Sequence, residues 1–220
     1  MVKNKGALIG SAAILCICMS LFFPFPDNEM IHARTTFMSF PISDQNGYNL
    51  LGIIGSFLFI FAMILLVRGL NKYHFRTVVI TVFVYALFPP LLLIPVYQET
   101  LAGGIAAISY DGKGTCDFEN VGEDENVLNG ECTLLLHNRS SETVSFQIEF
   151  LDRFFTENDT RLTSLMNVNG PYIITIEANS EKSIQLNELL DLSDVPNHSF
   201  GGGSMNINIK LIDGEATRIL

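Results

Sequence analysis

Three long stretches of this chain carry no charge at all. Residues 7–25 run for nineteen positions without Asp, Glu, Lys or Arg, residues 48–67 for twenty and residues 77–97 for twenty-one. A bilayer core about 30 Å thick takes roughly twenty helical residues to cross. In lipid the backbone can satisfy its own hydrogen bonds only as a helix or a closed barrel. The buried helices of a soluble core can be equally apolar, but three such runs within residues 1–104 exceed what a domain of that size can bury. The expectation is a membrane region of three helices over residues 7–25, 48–67 and 77–97, with the lipid bilayer as the first partner.

Orientation follows from the basic residues that flank the runs. Lys3 and Lys5 precede the first, and Arg68, Lys72, His74 and Arg76 fill the short connection between the second and third. The connection between the first and second holds Arg34 against Asp27, Glu29 and Asp44. Lys3, Lys5, Arg68, Lys72 and Arg76 are thus the topology determinants. They place the N-terminus and the 68–76 turn in the cytoplasm and everything after Tyr97 outside. MVKNK before an apolar run also opens many signal peptides. This run is long for one, and FFPFPDNE after it lacks a small-x-small cleavage site. It reads as an uncleaved first helix.

Composition then divides the chain in two. Charged residues make up 16% and mean hydropathy is +0.33, yet the net charge is −10. Soluble domains carry about 25% charged residues. Residues 1–105 hold six basic and four acidic residues, a net of +2; residues 106–220 hold seven and nineteen, a net of −12. A basic surface able to neutralise nucleic-acid phosphates is excluded. So is wholesale disorder, which needs low hydrophobicity.

Past Gly103-Gly104 the pattern shortens. CTLLLH at 132–137, TVSFQIEFL at 143–151, YIITIEA at 172–178, 182–186 and MNINIKLI at 205–212 read as strands, the second alternating cleanly. Turn residues separate them: Asn129-Gly130, 138–141, Asn169-Gly170-Pro171, Asn179-Ser180, 201–203 and Asp213-Gly214. NELLD at 187–191 reads as one short helical turn. Strands at this spacing predict an antiparallel β-sandwich over residues 105–220. The stretch CTLLLHNRSSETVSFQIEFLD resembles the strand–NxS–turn–strand pairs of bacterial extracytoplasmic immunoglobulin-like domains. The chain as a whole is similar to uncharacterised Bacillus-type multi-pass membrane proteins that carry such a domain at the C-terminal side. With no Trp, it departs from the Cys–Trp–Cys core of antibody domains. The fold class expected is membrane α plus all-β.

Four cysteines divide two and two. Cys16 and Cys18 lie in the first apolar run without further soft ligands nearby and read as small apolar residues. Cys116 and Cys132 lie in the outer region, where disulfides persist. Their bond would close a loop of about fifteen residues, stabilising by roughly 3 kcal/mol in the chain-entropy account. The loop DFENVGEDEN at 117–126 carries five carboxylates, but its spacing departs from the EF-hand at Val121 and Leu128, so a solvated acidic turn is expected. Sequons at Asn138, Asn158 and Asn197 read as turn residues. His32, His74, His137 and His198 are scattered, and no GxSxG, HExxH, P-loop or dinucleotide motif occurs. No catalytic, cofactor or metal residues are assigned, and an enzyme is not expected.

The runs contain no ionisable Asp, Glu, Lys, Arg or His, the usual mark of a transport path. Pro89, Pro90 and Pro95 remove backbone donors from the third and should bend it. Gly6-xxx-Gly10 and Gly52-xxx-Ser56 offer small faces for helix packing. The function expected is a binding or accessory subunit: a plasma-membrane protein holding an acidic β-domain outside the cell against an envelope protein partner. The alternative is a membrane sensor that relays outer-domain occupancy to a cytoplasmic partner through the bent helix.

Overall fold

The computed structural model describes residues 2–21, 35–37, 40–43, 47–121, 127–152 and 161–220. Its described residues form two compact units that divide between Tyr97 and Gln98.

In the first unit, helix α1 (Lys5–Ser20) starts at Asn4, whose side-chain oxygen accepts from the Ala7 N–H. Such a cap satisfies one of the donors that every helix start leaves open. A two-stranded hairpin follows, β1 (Thr35–Phe37) with β2 (Phe40–Ser43). Helix α2 (Leu50–Gly69) is capped in turn by Asn49, which accepts from Gly52. The two helices pack antiparallel. Lys3 N–H reaches the Gly69 carbonyl at 2.8 Å, Ser11 Oγ donates to the Ala62 carbonyl, and Cys18 Sγ lies 3.8 Å from the Gly55 carbonyl.

The hairpin explains the small face of α2. A Cβ at Gly52 would collide with the Pro41 carbonyl, and one at Gly55 would meet the Phe40 ring at 2.8 Å. Phe40 is fully buried, with Phe59 and Tyr85 around it at centroid distances of 6.4 and 6.0 Å. The Gly52–Ser56 face therefore receives strand β2.

Helix α3 (His74–Phe88) runs into a π turn (Pro89–Leu93) and then α4 (Ile94–Thr100). The two helical pieces are bent by 43°. Pro89 and Pro90 have no N–H to give the preceding turn, so regular α-helix cannot continue through them; Pro95 sits in the first turn of α4, where no donor is required. The three full-length spans read from the sequence are corrected here. Among the described residues one unbroken helix, Leu50–Gly69, has the length and apolarity to cross a bilayer, and α3 with the helical stretch after its break can count as a second. Helix α1 has only sixteen residues, and residues 22–25 of the first run lie outside the described residues.

The second unit is all antiparallel. Its strands are β3 (Ile108–Tyr110), β4 (Thr115–Asn120), β5 (Val127–Asn138), β6 (Val144–Leu151), β7 (Tyr172–Ile176), β8 (Ser180–Asp191), β9 (Gly202–Met205), β10 (Asn208–Asp213) and β11 (Ala216–Ile219). One sheet has the order β11-β10-β6-β7. In the other, β5 pairs with β8 along one side and with β4 and β3 along the other, and β9 lies beyond β4. Residues of both sheets, among them Leu134, Leu136, Phe146, Ile148, Phe150 and Leu211, share one buried core. The alternation of β6 puts Val144, Phe146, Ile148 and Phe150 inside, one side of the strand, as period-two patterning demands.

Several local readings change. Asn129-Gly130, read as a turn, lies inside β5, and Gly202 and Gly203 of the turn read at 201–203 open β9. Residues 187–191 are strand, continuing β8 opposite residues 127–131, so the helical turn at NELLD is absent. The single strand read at 205–212 is broken at Asn206, whose φ of 56° lies in the left-handed region, giving β9 and β10. Asp117–Asn120 belong to β4 and not to an acidic turn; residues 122–126 lie outside the described residues.

Candidate functional site

The outward face of the five-stranded sheet is built by register. Asp117 of β4 stands opposite Glu131 of β5, which stands opposite Asn187 of β8. One row on, Glu119 faces Asn129 and then Leu189; the other way, Thr115 faces Thr133 and then Gln185. At the far end His137 faces Glu181, with Nδ1 3.8 Å from the carboxylate. Asp117, Glu119, Glu131 and Glu181 are all exposed, and Leu135, Leu189 and Met205 are exposed beside them. No strand position on this face carries Lys or Arg.

Asp117 directly opposite Glu131 is an unfavourable pairing, since like charges across a strand pair destabilise. The sheet tolerates it because the neighbouring row is tied covalently. Cys116 and Cys132 are a direct cross-strand pair with Cα atoms 4.1 Å apart, both fully buried, and they are joined by a disulfide. Gly203 of β9 borders Asp117; a Cβ there would meet Asp117 Oδ1 at 2.6 Å. The face thus presents hydrogen-bond acceptors and negative charge. Among the described residues no three His, Cys, Asp or Glu side chains are grouped to hold a metal ion.

The five basic residues read from the sequence as topology determinants come together. Lys3 and Lys5 open α1, Arg68 lies in the last turn of α2, and Lys72 and Arg76 flank the start of α3. The Val2–Leu70 bridge and the Lys3–Gly69 bond bring these segments to one end of the first unit. Arg76 stacks over the Tyr73 ring at 5.9 Å. The described residues of this unit contain no carboxylate side chain. The histidines remain apart. His74 Nδ1 is 3.0 Å from the Val67 carbonyl, His198 Nδ1 is 2.6 Å from the Val195 carbonyl, and His32 lies outside the described residues.

Several polar residues that hold the second unit gave no sequence signal. Asn138 is fully buried. Its Nδ2 donates to the Glu142, Ile176 and Glu177 carbonyls at 2.7, 3.2 and 3.0 Å, and its Oδ1 accepts from Ser140. This sequon asparagine is therefore closed to modification in the folded domain. Asn197 takes a turn conformation at φ 54°, and Asn158 lies outside the described residues. Arg218 Nη1 donates to the Ile105, Ala106 and Ile108 carbonyls, and Gln98 Nε2 donates to those of Ala106 and Ile108. The Tyr172 hydroxyl donates to the Met166 carbonyl; burial, and then the charge of Glu188, push its pKa up to about 12. Ser193 donates to the Asp191 carboxylate and holds its pKa below the usual value.

A concavity of about 450 Å³ opens between Glu149, Asp152, Arg161 and Asn167. Asp152 uses its carboxylate internally, accepting from the Leu162 and Ser164 N–H groups and the Ser164 hydroxyl. No protein-family model, curated protein or solved structure matches the chain.

Proposed function

We propose that this chain is a multi-pass protein of a cell membrane, a binding or accessory subunit that presents an immunoglobulin-like β-sandwich outside the cell to a cationic partner. The observation that carries the binding role is the opposition of Asp117 to Glu131 on an exposed sheet face whose described strand positions carry no Lys or Arg. Locally unfavourable pairings survive where function requires them. The partner class is an envelope protein with a basic surface.

The membrane reading draws support from side-chain exposure. Only 22% of the apolar window of Leu50–Gly69 is buried, whereas a core helix of a soluble protein would bury most of its surface. Phe57, Phe61, Phe83 and Leu91 are each more than half exposed, which suits a lipid environment. All described charges of that unit lie at one end, matching a cytoplasmic positive flank. The disulfide in the other unit fits an oxidising compartment. A second reading, a sensor relaying occupancy inward, draws on the 43° bend at Pro89–Leu93.

The test is co-purification from detergent extracts, comparing the wild-type chain with the Asp117→Lys, Glu131→Lys double variant. A stoichiometric partner that elutes with rising salt and is lost from the variant supports the assignment. A partner held equally by both, or none with either, overturns it. Alkaline-phosphatase fusions supply the topology arm: active after Tyr97, inactive at Lys72.

A further inference from the structure

Strand β8 is the longest free edge among the described residues. Its twelve residues pair without interruption to β5, with no bulge and no proline. The other edges are short: β7 has five residues, β9 and β11 four each. Proteins normally blunt a long edge with Pro, bulges or outward charges, because its open donors and acceptors template further pairing.

The register says which backbone groups are open. In an antiparallel ladder, bonded pairs alternate with non-bonded pairs whose Cα atoms lie about 4.5 Å apart. Cys116 and Cys132, at 4.1 Å, are a non-bonded pair of β4 and β5. The Cys132 amide therefore turns toward β8, so β5 bonds the even-numbered residues of β8. The odd-numbered ones, Ser183, Gln185 and Asn187 at the centre, turn their N–H and C=O groups to the open side. An independent contact agrees: the Leu189 carbonyl accepts from Asn169 Nδ2 at 3.1 Å. Among the described residues nothing bonds the main chain of Ser183, Gln185 or Asn187 on that side.

We propose that β8 pairs antiparallel with β8 of a second copy of this chain, about a two-fold axis through Gln185. The charges select the register. A ladder forms only when odd residues stand opposite odd residues. Lys182 is the only cation of the strand, beside Glu181, Glu188 and Asp191. Opposing it to Glu181 or Asp191 of the second copy sets odd against even and breaks the ladder. Opposing it to Glu188 keeps the ladder, puts Gln185 against Gln185 and Ser183 against Asn187, and forms the ion pair twice. It also lays Ile184 against Leu186. Moving the centre to Leu186 would instead face Glu181 with Asp191. The Asn169 contact at Leu189 marks the end of the usable edge, leaving about six main-chain hydrogen bonds in the central rows. The inference does not depend on the proposed function; a two-fold pair would present two acidic faces.

The test uses the full chain in detergent and in native membranes, with Cys16 and Cys18 replaced by serine. Residues on a two-fold axis in a bonded pair lie within disulfide reach. Gln185→Cys should cross-link to a covalent dimer on mild oxidation, about tenfold faster than Ser183→Cys or Asn187→Cys alone. The combined Ser183→Cys, Asn187→Cys chain should recover the fast rate. Lys182→Glu should shift the non-covalent dimer to monomer, and Lys182→Glu with Glu188→Lys should restore it. Monomer at every concentration, faster cross-linking at another single position, indifference to Lys182→Glu, or a different protein captured at Gln185 would each overturn the proposal. None of these outcomes alters the phosphatase-fusion pattern, so the two readings fail separately.

Discussion

At the scale of single residues, the buried carboxamide of Asn138 has the most to lose. Asn138→Leu leaves three carbonyls without their donor and removes the acceptor of Ser140. A cost of about 3 kcal/mol or more is expected, visible as a lower urea midpoint for the β unit of the full chain in detergent. Tyr172 predicts a pH effect. As an acid whose folded pKa is raised to about 12 from the usual 10, it favours folding in its neutral form. That contribution is complete below pH 10 and disappears as pH rises through 12. Tyr172→Phe should lose the bond to Met166, worth about 1 kcal/mol, and flatten the loss of stability between pH 10 and 12 in thermal scans. Neither the Asn138 nor the Arg218 carbonyl contacts were legible in the sequence. Asn138 sits in an N-x-S turn pattern and Arg218 in a short polar stretch, and both residue types are usually exposed. Only the tertiary path of the chain gives them carbonyls to bond. The Cys116–Cys132 bond was legible, because a loop of about fifteen residues in a region expected outside the membrane already favours one.

At the scale of elements, periodicity succeeded where one face is buried and the other wet. Strand β6 is the clear case, with its four inward apolar residues in strict alternation. It failed in NELLD, where adjacent leucines at 189 and 190 imitate a helical pattern. There β5 overrides local preference by offering an unbroken ladder out to Asp191. Hairpin β1–β2 gave no signal of its own; its place depends on the glycines of α2. Gly55→Leu should force the Phe40 ring out of its slot at a cost of about 1–3 kcal/mol. Faster proteolysis between α1 and α2 of the detergent-solubilised variant would register the change. Replacing both Cys116 and Cys132 by alanine should destabilise the β unit by about 3 kcal/mol, read as a lower thermal midpoint that matches the reduced wild type.

At the scale of the whole molecule, segregation of charge was visible in composition alone. The net of −12 over residues 106–220 and the cluster of Lys3, Lys5, Arg68, Lys72 and Arg76 belong to different units. What composition could not supply is continuity of helix, because two adjacent prolines stop regular α-helix inside an otherwise suitable apolar run. If the basic end fixes orientation, Arg68→Gln, Lys72→Gln and Arg76→Gln together should raise the phosphatase activity of a fusion at residue 72 severalfold. Unchanged activity would remove those residues from the topology argument.

The Arg218 staple also has a consequence for biogenesis. The turn at 105–108, where the chain first enters the β unit, is fastened by a guanidinium more than a hundred residues later. A ribosome delivers residues in order, and closing so long a loop is entropically costly until its far end arrives. Gln98 can hold the Ala106 and Ile108 carbonyls early, but the three Arg218 bonds must wait for β11 to emerge. Strands made earlier lack both β11 and this staple, so a chain stalled before Arg218 should be cut by added protease faster than the full chain.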